Sequence, residues 1–208
     1  MNPIQLTENS TSPHTLEQPG VVRASLGLCA TSLLVCGFIY SLAGVGLGQT
    51  LFSHQANGSM IEQNGQAKGS ALVAQPFSQT QYFHPRASAA NYDVMALAGS
   101  NMARTNPDLR KRIADDSTRI AQQNQVAIRQ LPSDLVTQSG SGIDPEISPE
   151  AARIQVTRVA QARGLPVTQV QHLVEQHIQS KQWGLFGAPR VNVLKLNLAL
   201  DGQAGGRP

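Results

Sequence analysis

The stretch Ser139-Gly-Ser-Gly-Ile-Asp-Pro145 is the most glycine-rich internal turn of the chain. Successive backbone N–H groups in such a turn can converge on an anion, and a phosphate suits that geometry. A Walker-type loop enters its helix with Gly-Lys-Ser/Thr, and no lysine lies here. The spacing therefore favours a structural turn leading into a helix cap at Ser148 over a phosphate cradle. Tyr82-Phe-His-Pro-Arg86 sets an aromatic pair beside an imidazole and a guanidinium. A metal there needs further ligands, yet His14, His54, His172 and His177 show no matching spacing. His172 and His177 are five apart, which does not put both on one helix face. Ser, His and Asp all occur, but without the Gly-x-Ser-x-Gly elbow that acyl transfer uses. Asn57-Gly-Ser59 matches a glycosylation acceptor, which matters only in a eukaryotic secretory route. No catalytic residue and no metal site emerges. The residues describe a membrane-tethered binding or assembly domain rather than an enzyme.

The elements that must position these groups divide sharply. Of 208 residues, 14% are charged, against about 25% in a typical soluble protein. The shortage is local, because no Asp, Glu, Lys or Arg lies between Arg23 and Glu62. Residues 24–48 form an uncharged run that, as a helix, spans roughly 37 Å. That is enough for a hydrocarbon core of about 30 Å, so 21–50 is expected to be a transmembrane helix. A cleavable signal peptide with Ser41-Leu42-Ala43 as its cleavage site is the competing reading. The run is longer than the usual signal core of about 7–15 residues, which favours a retained anchor. Gly37 with Ser41, and Gly44 with Gly48, recur at the four-residue spacing that lets membrane helices approach closely. Arg23 precedes the span and Lys68 is the first basic residue after it. The positive-inside rule then sets the N-terminus inside and the large C-terminal part outside. Net charge is +3, and Arg110-Lys111-Arg112 is followed by Asp115 and Asp116, so a solvated helix face is read there. No nucleic-acid partner is expected.

Beyond the span, residues 54–201 read as one soluble α+β domain, with loose tails at 1–20 and 202–208. Asn64-Gly65 predicts a type I′ turn joining a strand from Ser59 to one from Gln66 onward to Gln75. Asn106-Pro107-Asp108 starts a helix whose apolar positions Leu109, Ile113, Ile120, Ala127 and Leu131 run on to Pro132. Ser148-Pro149-Glu150 opens a second, with Ala152, Val156, Val159 and Ala160 inward and Gly164 closing it. A third is expected from Val167 to Ser180 on Val170, Leu173, Val174 and Ile178. The alternation of leucines at 194, 196, 198 and 200 predicts a half-buried final strand over 191–200.

The ordered set of motifs resembles the C-subunit family of the Kdp potassium-transporting ATPase over roughly residues 20–201. The matching pieces begin with Phe52-Ser-His-Gln-Ala-Asn-Gly-Ser59, Gly69-Ser70, Gln75-Pro-Phe77, and Tyr82-Phe-His-Pro-Arg86 with Ser88-Ala89. Gly99-Ser-Asn101, Thr105-Asn-Pro107 and Pro132-Ser-Asp-Leu-Val136 follow. Next come Ser139-Gly-Ser-Gly-Ile-Asp-Pro145, Ile147-Ser148, Gln155, Arg158-Val-Ala160 and Arg163-Gly164. Gly187-Ala-Pro-Arg-Val-Asn-Val-Leu194 and Leu196-Asn197 complete the set. Ala87 stands where the family usually has Pro, and the N-terminal tail is longer than usual.

The resemblance implies a single-span, non-hydrolytic accessory subunit of a bacterial inner-membrane potassium pump. Its implied partners are a channel-like potassium-binding subunit, a P-type ATP-hydrolysing subunit and a very small hydrophobic subunit. The Asp-Lys-Thr-Gly-Thr motif of P-type hydrolysis is absent from this sequence. No tightly bound cofactor is implied; potassium is the transported ion and ATP the ligand of a ternary complex. Family descriptions make the C subunit a catalytic chaperone that raises the hydrolysing subunit's ATP affinity. The nucleotide-contacting positions implied here are Ser139, Gly140, Ser141, Gly142 and Gln155. An outside domain cannot reach cytoplasmic ATP, so the charge bias favours a different role. In that alternative the domain is an external cap that stabilises the channel-like subunit and funnels potassium to its entrance.

Overall fold

The computed structural model describes residues 18–204. It divides into two compact units, meeting in sequence between Ala56 and Asn57.

The first unit is helical. An α-helix α1 (Gln18–Ser32) continues through a π-helical stretch (Leu33–Ile39) into α2 (Tyr40–Leu51), and a short α3 (Ser53–Ala56) follows. From Gly20 to Leu51 the helix has 32 residues and a mean hydropathy of 2.0, and none of its apolar window is buried. It is long and apolar enough to cross a membrane. The tail expected over 1–20 lies outside the described residues, except that 18–20 already belong to α1.

The second unit is an α+β domain. Its hairpin pairs β1 (Met60–Gln63) with β2 (Gln66–Ser70), antiparallel, with a bulge between Ile61 and Glu62. Asn64 and Gly65 supply φ of 54° and 73°, the two left-handed residues that a type I′ turn requires. A long irregular segment then leads to α4 (Pro107–Asn124), a 3₁₀ turn (Ile128–Gln130) and α5 (Ser133–Val136). Next come β3 (Glu146–Ile147), α6 (Pro149–Arg163), α7 (Val167–Gln176), β4 (Ile178–Gln179), β5 (Arg190–Asn192) and α8 (Val193–Ala204). The last three strands form an antiparallel sheet in the order β3-β5-β4. Val156 and Val159 of α6, Val170 and Val174 of α7, Leu196 and Leu200 of α8, and Phe83 are buried in the core.

The caps hold where they were expected. The Asn106 side chain accepts from Asp108 N, the Ser148 side chain accepts from Ala151 N, and Gly164 closes α6 at φ 62°. Three expected boundaries are corrected. The final segment is not a strand from 191 to 200: β5 ends at Asn192, whose side-chain oxygen accepts from Lys195 N and starts a helix. Val193, Leu196, Asn197 and Leu200 are buried at the i, i+3, i+4, i+7 spacing of a helix face, with Leu194 buried beside them, while Lys195 is exposed. The helix runs through Ala204, into the stretch expected as a frayed tail. The Asn106 helix ends at Asn124, not at Pro132, because Gln125 adopts the left-handed conformation at φ 56°. The Val167 helix ends at Gln176, and Ile178 leaves it to pair with Val191.

Candidate functional site

The glycine-rich turn and Gln155 both dock on the segment that follows Tyr82. Ser139 N donates to Ala87 O at 2.9 Å, and Ser88 Oγ donates to Gly142 O at 2.6 Å. Arg86 pairs with Asp144 at 3.0 Å and donates to Gln138 O at 3.2 Å. Tyr82-Phe-His-Pro-Arg86 and Ser139-Gly-Ser-Gly-Ile-Asp-Pro145, separate motifs in the sequence, are thus one packed unit.

Inside the turn, four amide donors, those of Ser139, Gly142, Ile143 and Asp144, already have acceptors. Ser139 Oγ accepts from Gly142 N at 3.1 Å and Asp144 N at 3.4 Å, and Ser141 Oγ accepts from Ile143 N at 3.2 Å. These are the N–H groups that an anion would need. The two glycines differ. Gly142 is buried at φ 79°, and a Cβ on it would lie 2.8 Å from Ala98 O. Gly140 is exposed, and a Cβ there would meet nothing within 4 Å. Of these two glycines, only Gly142 has a positive φ. Ser141 is exposed and Ser139 buried.

Gln155 lies on α6 and is 1% exposed. Its Oε1 accepts from His84 N at 2.8 Å and from Arg158 Nη2 at 2.7 Å. Its Nε2 donates to His84 O at 3.1 Å and to Ala151 O at 3.3 Å. Two acceptor sites and two donors exhaust a primary amide. One edge of the side chain borders a cavity of about 350 Å³ shared with His84, Tyr92, Arg119 and Asn124. Burial, with the nearby Arg158 charge, holds the His84 imidazole below its usual range, and burial raises the Tyr92 phenol. Among the described residues no group of three or more His, Cys, Asp or Glu could hold a metal ion.

On the apolar helix, Gly37, Ser41 and Gly44 are exposed. A Cβ on Gly37 or Gly44 would meet nothing, and one on Gly48 only Ala56 Cβ at 4.0 Å. The small-residue positions therefore leave room at the helix surface.

The family model described as "KdpC: K+-transporting ATPase, c chain" matches residues 22–202. The chain belongs to the KdpC family. It is 51% identical over 191 residues to the potassium-transporting ATPase KdpC subunit of Xanthomonas axonopodis pv. citri, covering 91% of this chain and 92% of that one. The KdpC subunit of Shewanella putrefaciens is also 51% identical, over 86% of this chain and 88% of its own. That of Myxococcus xanthus is 44% identical over 88% and 89%.

The centre of this KdpC-family domain contains a cation that sequence reasoning passed over. Arg158 is 8% exposed, and among the described residues no carboxylate pairs with its guanidinium. It donates to Asn124 Oδ1 at 3.0 Å, Thr80 O at 2.5 Å, Tyr82 O at 2.9 Å and Gln155 Oε1. Burial lowers its pKa to about 10, which leaves it charged at neutral pH. Arg163, five residues on, donates to Gln81 O at 2.7 Å, pairs with Asp201 and lies over the Tyr82 ring. A signal for Arg158 was present: Gln155 and Arg158 fall three apart within the buried stripe of α6, where polar side chains need partners.

Proposed function

We propose that this chain is the non-hydrolytic accessory subunit of a P-type potassium pump in a bacterial inner membrane. A single helix anchors it, and its folded domain acts outside as a cap. The implied partners are the channel-like potassium-binding subunit, the ATP-hydrolysing subunit and the small hydrophobic subunit. The cap stabilises the channel-like subunit and channels potassium toward its entrance. One observation carries the choice of cap over nucleotide contact: the amide of Gln155 and the N–H groups of Gly142, Ile143 and Asp144 are engaged inside the domain. A nucleotide would have to break these hydrogen bonds to use the groups, and each one that is buried carries a penalty of about 1–3 kcal/mol. The charge bias of Arg23 against Lys68 points the same way.

The second reading is the chaperone that raises ATP affinity through Ser139, Gly140, Ser141, Gly142 and Gln155. It is favoured by the cavity that Gln155 borders beside Arg119, a cation suited to an anionic ligand. Two measurements separate the readings. A tag fused after Pro208 should lie on the outer, periplasmic side of the inner membrane, and cytoplasmic exposure refutes the cap. In the assembled pump, Gly140→Ala and Gln155→Ala should leave the ATP concentration for half-maximal hydrolysis unchanged. A selective rise in that concentration for both variants, with normal assembly, establishes the chaperone instead.

A further inference from the structure

The run joining β4 to β5, residues 180–189, is exposed throughout. At its apex Trp183 is 88% exposed, Leu185 76% and Phe186 59%. The apex nevertheless has a defined form. Gln182 N donates to Phe186 O at 2.9 Å, Phe186 N donates to Gln182 O at 3.0 Å, and the indole meets the Phe186 ring edge-on at 6.0 Å. Three large apolar side chains held together in water are the composition of a contact surface, and Trp is a residue type that dominates binding energy.

The chemistry of the contact follows from what lies beside the apex. Gln182 and Phe186 line one side of a cavity of about 830 Å³. Its wall also carries the carboxylates of Asp134, Asp144, Glu146 and Glu150 and the guanidiniums of Arg86 and Arg190. Both guanidiniums are engaged, Arg86 with Asp144 at 3.0 Å and Arg190 with Glu146 at 2.8 Å. The other two carboxylates are not matched in this way. Asp134 accepts from the neutral donors Ser148 N at 2.7 Å and Ser148 Oγ at 3.1 Å. Glu150 is 3.8 Å from Arg153, which is held closer to Glu175 at 2.8 Å. The wall is therefore net negative, with an apolar edge at Phe186. Anionic phospholipid is repelled by such a wall, and a hydrated metal ion makes no use of the exposed rings. A Lys or Arg side chain suits both parts: its apolar stem lies along the rings while its charged head reaches the carboxylates. Apolar neighbours of that side chain would cover Trp183 and Leu185.

We propose that the apex and the wall beside it form one docking surface, which receives a segment of the channel-like subunit carrying Lys or Arg among apolar side chains. This rests on the cap reading above. In the assembled pump, Leu185→p-benzoylphenylalanine is irradiated and its adduct read by mass spectrometry. The adduct should join the channel-like subunit, at a segment with Lys or Arg close by. An adduct with phospholipid, with the ATP-hydrolysing subunit or with a second copy of this chain overturns the proposal, and so does the absence of an adduct. A second measurement titrates the detergent-solubilised full chain onto the pump lacking it. Glu150→Lys and Trp183→Ser, both at exposed positions, should each raise the dissociation constant on the order of tenfold. Asp115→Lys makes the same change of charge on the solvated face of α4 and should leave the constant within about twofold. Unchanged binding by Glu150→Lys or Trp183→Ser, or equal weakening by Glu150→Lys and Asp115→Lys, overturns the proposal. The tag after Pro208 separates the two readings: any of these failures with an outside tag refutes this surface alone, and a cytoplasmic tag refutes the cap as well.

Discussion

Asn197 and Phe83, 114 residues apart, pair as if they were neighbours in a sheet. Phe83 N donates to Asn197 Oδ1 at 2.8 Å, and Asn197 Nδ2 donates to Phe83 O at 2.9 Å. Gln155 does the same for His84, the next residue. Two buried amides, one on α8 and one on α6, thereby supply the backbone partners that an irregular segment cannot find in a helix or ladder. This lets Phe83 enter the core fully buried without stranding its peptide groups.

Asn197→Ala removes both bonds and leaves a buried N–H and C=O unpaired. The expected loss is on the order of 3 kcal/mol. Urea unfolding of the detergent-solubilised chain, followed by circular dichroism, measures it. A midpoint indistinguishable from that of the parent chain refutes the clamp.

Gly142→Ala combines a left-handed φ of 79° with a contact of 2.8 Å to Ala98 O, so it should destabilise by about 1–3 kcal/mol. Gly140→Ala has open space and should stay within about 0.5 kcal/mol of the parent. Equal melting temperatures for the two variants would contradict the different roles assigned to these glycines.

Ser148 caps α6 and also donates to Asp134 Oδ1 at 3.1 Å. Ser148→Ala should cost about 1 kcal/mol, seen as a lowering of the melting temperature by roughly 2–4 °C. Ser148→Asn should recover part of the loss if capping is the main term, and none if the Asp134 bond dominates.

His84 is held neutral in the folded domain by burial and by the Arg158 charge. Its folded pKa lies below the unfolded value of about 6.5, so the unfolded chain takes up a proton first as pH falls. Stability should therefore decline as pH drops from about 6.5 toward the lowered folded value, and be unaffected by this group well above about 6.5. Melting curves of the parent and His84→Gln across that window test the sign: the variant should show the shallower acid dependence.

Gly44→Leu adds bulk where the apolar helix leaves open space. If this face packs against the channel-like subunit, the variant should co-purify with less of it, because the larger side chain forces the helices apart. Undiminished recovery of the intact complex removes Gly44 from that interface.

The sequence by itself determined what depends on neighbours within a few residues. The Asn64-Gly65 turn, the caps at Asn106, Ser148 and Gly164, and the apolar helix built on the uncharged run 24–48 were all legible. Cap and turn chemistry closes over about four residues, and the apolar length of the helix is a property of composition alone. Only the tertiary structure decided the rest. Leucines at 194, 196, 198 and 200 fit a strand, while Val193, Leu196, Asn197 and Leu200 fit a helix, and the sequence contains both patterns. The helix prevailed because Asn192 caps it and because its buried stripe includes Asn197, whose amide must reach Phe83. The same holds for the candidate site. Whether Gln155 was available to a ligand depended on His84, 71 residues away, and on Arg158, whose charge is satisfied by carbonyls drawn from a distant loop. Such partners are brought together only when the core closes, and no local spacing encodes them.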